Sequence, residues 1–235
     1  MKLVLILTLL FLALPMFGQQ TTLEQWNEEA RTNIRLLPRY GHVQKTEAQR
    51  ESDRQFIETM LKQDTTHRRA SNHLIELGFK YLNRDIKTAM YRFNQAYLLD
   101  STNTDIYWGY GAVYMVLGDY VRAAHQYIEG VALDPNNTHL LTDYGTYHMV
   151  QYNGLQTQDE TKAAANLDSA ISYLLKSFSL NPKNQNTSFK LSICYYNKKD
   201  CENAWKYYDI CKELGGQPIT EEYSVEIKKT CEKQD

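Results

Sequence analysis

The chain has 235 residues and a near-balanced charge, 26 Lys and Arg against 28 Asp and Glu, for a net charge of −2. The two signs are interspersed, and no long basic run favours nucleic acid or an anionic membrane surface. Four cysteines and eighteen tyrosines stand out in the composition.

Residues 1–20 read as a secretory signal peptide. Lys2 gives a minimal positive start, the stretch from Leu3 to Leu14 is apolar apart from Thr8, and Pro15 and Gly18 precede a polar chain. The stretch is short of the roughly 20 residues of a spanning helix, so cleavage near Gly18 is expected. An uncleaved anchor is the competing reading. No cysteine lies near Gly18 to carry a lipid. The expectation is an exported chain, periplasmic or extracellular, without stable membrane insertion after cleavage. Its Asn-, Tyr- and Lys-rich texture points to a Gram-negative bacterium.

Residues 21–70 contain two predicted helices. Thr22 with Gln25 forms a capping box, and Leu23, Trp26, Ala30 and Ile34 line one face behind it. Leu37-Pro38-Arg39-Tyr40-Gly41 breaks the chain. Thr46 with Gln49 starts a second helix bearing Phe56, Ile57, Met60 and Leu61 on one side. Two readings stand: an N-terminal helical cap over the open face of the next helical unit, or a partner-binding arm.

Four helix–turn–helix units come next. Residues 71–103 carry Leu74, Leu77, Gly78 and Tyr81, then Asp85, Ala89, Phe93 and Ala96. Residues 104–137 are the clearest copy. Tyr107, Tyr110, Gly111 and Tyr114 share one helical face, Gly118-Asp119 turns the chain, and Ala123, Tyr127, Gly130 and Val131 form the second stripe. Pro135 ends the unit. Residues 138–184 repeat the pattern with Leu141, Tyr144, Gly145 and His148, then Ala170, Leu174 and Asn181-Pro182. An insertion at 151–161 separates the halves; Asn153-Gly154 signals a turn in it, and Asp159 can cap a lengthened helix. It reads either as a tolerated surface insertion or as a specificity loop. Residues 185–218 are a degenerate copy with Leu191, Tyr195, Asp200, Ala204 and Tyr208. Residues 219–235 then supply a C-terminal capping helix with Tyr223, Val225 and Ile227, since a stack of repeats needs a polar outer end.

This pattern resembles the tetratricopeptide repeat, a 34-residue helical hairpin with Trp/Tyr, Leu, Gly, Tyr, Ala, Phe/Tyr, Ala and Pro at set positions. The resemblance covers residues 71–233. It implies an all-α fold, a right-handed superhelical solenoid of antiparallel helix pairs, with about four hairpins between the N- and C-terminal capping helices. Such chains are usually protein-binding scaffolds.

The cysteines are Cys194, Cys201, Cys211 and Cys231. Their spacings match no zinc site or redox pair. Cys201 begins one predicted helix and Cys231 ends the next, antiparallel one, equidistant in sequence from Gly216. A Cys201–Cys231 bridge would therefore staple the C-terminal cap, although sequence leaves the connectivity open. Cys211 falls in a small-residue packing slot.

No catalytic constellation is legible, and no cofactor or metal is expected. Gly109-Tyr110-Gly111 lacks the third glycine of a dinucleotide site. There is no Walker loop, no H-E-x-x-H and no G-x-S-x-G. His139 and Asp143 are i, i+4 and could share a metal, but two ligands without a third are weak. His148 sits where the family packs an aromatic ring.

In the family, the first helices of successive hairpins line a concave groove for peptides or partner helices. The matching slots here are Asn72, Ile75, Phe79, Leu82 and Asn83; Asp105, Trp108, Ala112, Met115 and Val116; His139, Thr142, Thr146, Met149 and Val150; and Asn186, Phe189, Ile193, Tyr196 and Asn197. Family members that clamp a chaperone's C-terminal carboxylate present Lys, Arg and Asn there. These slots hold mainly apolar and aromatic residues, which suits an amphipathic helix or apolar segment with Phe79 and Trp108 as anchors. The expected function is a non-enzymatic, exported scaffold for a protein or peptide partner. A self-associating structural protein is the alternative, and an enzyme using the insertion is a more distant third.

Overall fold

The computed structural model describes residues 21–231, so the expected signal peptide lies outside the described residues. Helix α1 (Leu23–Ala30) leads through two 3₁₀ turns (Ile34–Leu36 and Pro38–His42) to α2 (Glu47–Gln63). The hairpins are α3 (His67–Tyr81) with α4 (Ile86–Leu99), α5 (Asp105–Val116) with α6 (Tyr120–Leu133), α7 (Thr138–Leu155) with α8 (Glu160–Leu180), and α9 (Gln185–Asn197) with α10 (Cys201–Glu213). Helix α11 (Glu221–Thr230) closes the series. Helix α3 begins at His67, ahead of the expected boundary at 71, because the Thr66 hydroxyl caps it from outside the repeat pattern.

The hairpin rhythm is set by helix caps. Asp85, Asp119, Asp159 and Asp200 each stand before the second helix of a pair and accept a backbone N–H from its first turn. Asn137 and Asn184 do the same for α7 and α9. A short polar acceptor satisfies an otherwise orphaned N–H and fixes where each helix starts. Between caps, small residues let the helices close. A methyl group on Gly111 would lie 2.3 Å from the Tyr127 ring, and one on Gly78 or Gly109 would lie 2.4 Å from the Phe93 ring.

The first helices α3, α5, α7 and α9 touch their successors in turn, whereas the second helices splay apart. The first helices are therefore the inner layer of a curved stack. A continuous core runs from Trp26 and Leu36 through Phe93, Tyr110 and Tyr127 to Tyr144, and two smaller clusters continue it around Leu174 and around Trp205.

The N-terminal segment follows a path the sequence did not disclose. Helix α2 lies beside α3 and α4. The stretch before it crosses the outer face, against α4 and α6. Asn33 bonds the Tyr91 hydroxyl at 2.9 Å, Lys87 pairs with Glu29, and Arg122 reaches Asn27. Arg39, Tyr40, Gly41 and His42 form a left-handed turn with φ between 55 and 65°. L-residues avoid this region at a cost of about 1–2 kcal/mol each, so the turn has to be held. Asn94, fully buried on α4, helps to hold it. Its Nδ2 donates to the carbonyls of Arg35 (2.8 Å) and Leu37 (2.9 Å), and its Oδ1 accepts from the Arg39 N–H (2.8 Å) and the Tyr110 hydroxyl (2.7 Å). The Arg39 guanidinium then pairs with Glu129 on α6.

The insertion at 151–161 is not a projecting loop. Helix α7 continues through Asn153-Gly154, where a turn was expected, to Leu155, and α8 begins after the Asp159 cap. The added residues lengthen the hairpin, and Tyr152 of the extension packs, together with Met149 just before it, on the α8–α9 cluster. Gly154 lies in a helix with open space around its Cα. Gly154→Ala is thus expected to raise stability by about 0.5–1 kcal/mol in chemical denaturation. A loss would mean that the helix does not run through this position.

Candidate functional site: the concave face

Phe79 on α3, Trp108 on α5 and His139 on α7 form a ladder across three first helices. Ring centroids are 3.8 Å apart for Phe79–Trp108 and 4.4 Å for Trp108–His139, the latter pair stacked. Phe79 is anchored underneath by the edge of Phe93 at 5.2 Å. Two carboxylates fix the ladder. The Trp108 Nε1–H donates to Asp143 Oδ2 at 2.6 Å, and His139 Nδ1 lies 3.1 Å from Asp105 Oδ1, which also accepts from Asn137 Nδ2 at 2.7 Å. Lys190 of α9 stands 3.8 Å from Asp143. The i, i+4 pair His139 and Asp143 thus turns to separate partners and does not converge on one point. Among the described residues no group of three or more His, Cys, Asp or Glu side chains is arranged to hold a metal.

The other expected groove residues divide. Asn72, Asn83 and Val116 are exposed, and Asn72 accepts from Asn103 at 2.7 Å. Met115 and Met149 are half-buried against core clusters. Ile75 and Ala112 are buried and belong to the core. Thr142, 5% exposed, is also removed from the groove. Its hydroxyl lies 2.8 Å from both Ser177 and Thr187, joining α7, α8 and α9 from inside. Phe189 and Tyr196 on α9 are half-buried, each with one side taken by α11. Tyr223 of α11 packs edge-on against them, with centroids at 5.4 and 5.9 Å, and the Tyr196 hydroxyl bonds Glu226 at 3.0 Å. Asn197 is half-buried beside them. The part of the face without a helix of the C-terminal cap packed on its aromatics is the ladder over α3, α5 and α7. Asp143 and Lys190, which position it, carry no sequence signal for that role, because their partners are distant in the chain.

Electrostatics tie the ladder together. The hydrogen bond to Asp105 holds the His139 imidazole above its ordinary pKa. Burial works to raise the Asp105 carboxyl, but bonds from His139 and Asn137 prevail and hold it low. The contribution of the pair is fully present below the ordinary imidazole pKa of about 6.5 and is lost as pH rises through the elevated value. His139 is half-exposed, so it is worth less than about 1 kcal/mol. A proton NMR titration should place the His139 inflection above that of a free imidazole, and Asp105→Asn should lower it. An unmoved inflection would show that the pair does not form. His148, by contrast, is wedged between Tyr144 and Tyr173, and burial lowers its pKa.

At the far end, Cys201 and Cys231 form a disulfide with Cα atoms 5.3 Å apart. Cys194 and Cys211 are buried free thiols; burial pushes Cys194 up to about 12, which makes it inert as a nucleophile. No helix of the described residues is long and apolar enough to cross a membrane.

No family model matches the chain, and no curated protein matches it. Among solved structures it is similar to TTC0263, a thermophilic TPR protein of Thermus thermophilus, at 16% identity with a TM-score of 0.54, over 62% of this chain and 75% of that one. It is also similar to a chain of the APC/C Cut9–Hcn1 hetero-tetramer, at 16% identity with a TM-score of 0.50, over 77% of this chain and 31% of that one. MamA matches at 17% identity with a TM-score of 0.46, over 75% of this chain and 98% of that one. At such identities the likeness concerns architecture, and the hairpin geometry agrees with it: the chain folds as a tetratricopeptide-type solenoid of antiparallel helix pairs.

Proposed function

We propose that the chain is a non-catalytic scaffold that holds an apolar or amphipathic segment of another protein on its concave face, and that it works after export. The observation that carries this reading is the Phe79–Trp108–His139 ladder, a run of stacked rings across three first helices in which Phe79 and Trp108 are half-buried and His139 is exposed. Aromatic side chains fixed by neighbours lose little entropy on binding and tend to dominate interface energies. Export draws support from the Cys201–Cys231 disulfide, since such bonds persist in oxidising compartments. The reading extends to a role in a cell-envelope or secretion assembly.

The test is a pull-down from an envelope extract with the wild type and with Phe79→Ala plus Trp108→Ala, after circular dichroism has confirmed that the double variant folds. Loss of the captured partner supports the reading, and unchanged capture refutes it. Self-association has one observation of its own: Val121 (82% exposed) and Ile128 (54% exposed) lie along the outer face of α6. Light scattering across a concentration series separates the two, because a concentration-independent monomer rules out self-assembly.

A further inference from the structure

Helix α11 sits at the end of the inner layer and takes up the aromatic faces that would continue the concave ladder onto α9. Its apolar attachment is small, supplemented by bonds from the Tyr196 hydroxyl to Glu226 and Thr230 and between the Tyr208 and Ser224 hydroxyls. Within α11, Ile227 is the one fully buried side chain. Tyr223 contributes its ring to Phe189, Tyr196 and Tyr208, and its hydroxyl to Ser192 at 2.7 Å. Beyond the last turn the Trp205 Nε1–H donates to the Cys231 carbonyl at 2.9 Å. The opposite side of the helix is exposed, and polar apart from Val225. A ten-residue helix is not stable in water without tertiary support. The link to α10 runs through Gly215 and Gly216, both at positive φ, which lets the segment reorient without rebuilding either helix.

We propose that the Cys201–Cys231 disulfide gates the concave face: oxidised, it holds α11 over Phe189 and Tyr196, and reduction releases α11 so that the ladder extends from α7 to α9 and accepts a longer partner segment. The occupant is the apolar or amphipathic segment of the proposed function, on which this inference rests. The face fits it because α11, an amphipathic helix led by Tyr223 and Ile227, is already a ligand of that chemistry bound in cis. The step is a thiol–disulfide exchange with a dithiol reductant. The reductant thiolate attacks Sγ of Cys201, the more accessible of the two, and Cys231, which is 1% exposed, leaves as a thiolate and takes up a proton. The second thiol of the reductant resolves the mixed disulfide, frees Cys201 and departs as an oxidised disulfide.

The test is hydrogen exchange on the full chain, oxidised and after reduction by dithiothreitol, with Cys201→Ser as a second, permanently open form. Opening a loop of 30 residues should speed exchange of the α11 amides by about a hundredfold, while α3 to α8 keep their protection. Acceleration of less than about threefold in both forms overturns the gate. This readout needs no partner, so it is independent of the groove reading. Captured partner is then compared between the two redox states. Increased capture after reduction supports the extended ladder. Equal capture with a freed α11 overturns the claim that α11 limits access, and no capture in either state fails the groove reading while the exchange result still decides the gate.

Discussion

Replacing Asn94 with alanine is expected to destabilise the chain by about 2–4 kcal/mol. The Arg35 carbonyl would lose its partner, while the Leu37 carbonyl keeps the Tyr40 N–H and the Arg39 N–H and Tyr110 hydroxyl keep each other at 3.1 Å. Asn94 is 0% exposed, and its amide satisfies two carbonyls, one N–H and one hydroxyl. Each buried group stranded by the truncation costs about 1–3 kcal/mol unless water enters or the segment moves away. Movement is the easier escape, since the left-handed turn from Arg39 to His42 is itself costly and Asn94 is one of the groups that hold it, with Tyr110, Tyr107 and Glu129. The unfolding transition should therefore shift, and amides of residues 34–42 should exchange faster in the native state. Tyr110→Phe removes the hydroxyl that donates to Asn94 and accepts from the Arg39 N–H, and should cost about 1 kcal/mol, since Asn94 still accepts that N–H. A shift below about 1 kcal/mol for Asn94→Ala, read from urea midpoints, would mean that the outer strap is held by something else.

Gly111→Ala is expected to cost about 2–3 kcal/mol through overpacking. The added methyl would meet Tyr127 at 2.3 Å from Cε1 and 2.6 Å from Cζ, and Tyr127 is 1% exposed and so has no free direction in which to retreat. The cost should therefore depend on the ring. In a Tyr127→Leu background the same glycine change should cost clearly less, giving a coupling energy of about 1 kcal/mol or more in a double-mutant cycle. Additive effects would show that the α5–α6 approach is not limited by this contact.

These two positions also show what a single sequence can reveal. Gly111 and Tyr127 occupy slots that recur every hairpin, so their contact follows from helical spacing and a small residue facing a large one. The Asp caps at 85, 119, 159 and 200 are legible for the same reason: their partners lie within one helical turn. Asn94 gives no such signal. Its partners are Arg35, Leu37, Arg39 and Tyr110, and three of them come from a segment outside the repeat. That is why the N-terminal residues, expected as a cap, could not be placed across the outer face. The Asn153-Gly154 dipeptide misled because it is a turn signal only when the flanking caps agree. Here the nearest cap is Asp159, and the helix extends to meet it. Among the groove slots, the structure sets Phe79, Trp108 and His139 side by side, draws Thr142 inward to Ser177 and Thr187, and packs Tyr223 on Phe189 and Tyr196.

Crosslinking from defined positions shows which face of the solenoid touches another protein. A photo-crosslinking phenylalanine analogue at Val116, exposed at the concave end of α5, is compared with the same analogue at Val121, exposed on the outer side of α6. After irradiation in cells of the native host, adducts are resolved on denaturing gels. The concave ladder predicts a discrete adduct from position 116 that disappears when Phe79 and Trp108 are both alanine, and none from position 121. Adducts from position 121 alone, or an adduct at 116 that survives the double substitution, would contradict it.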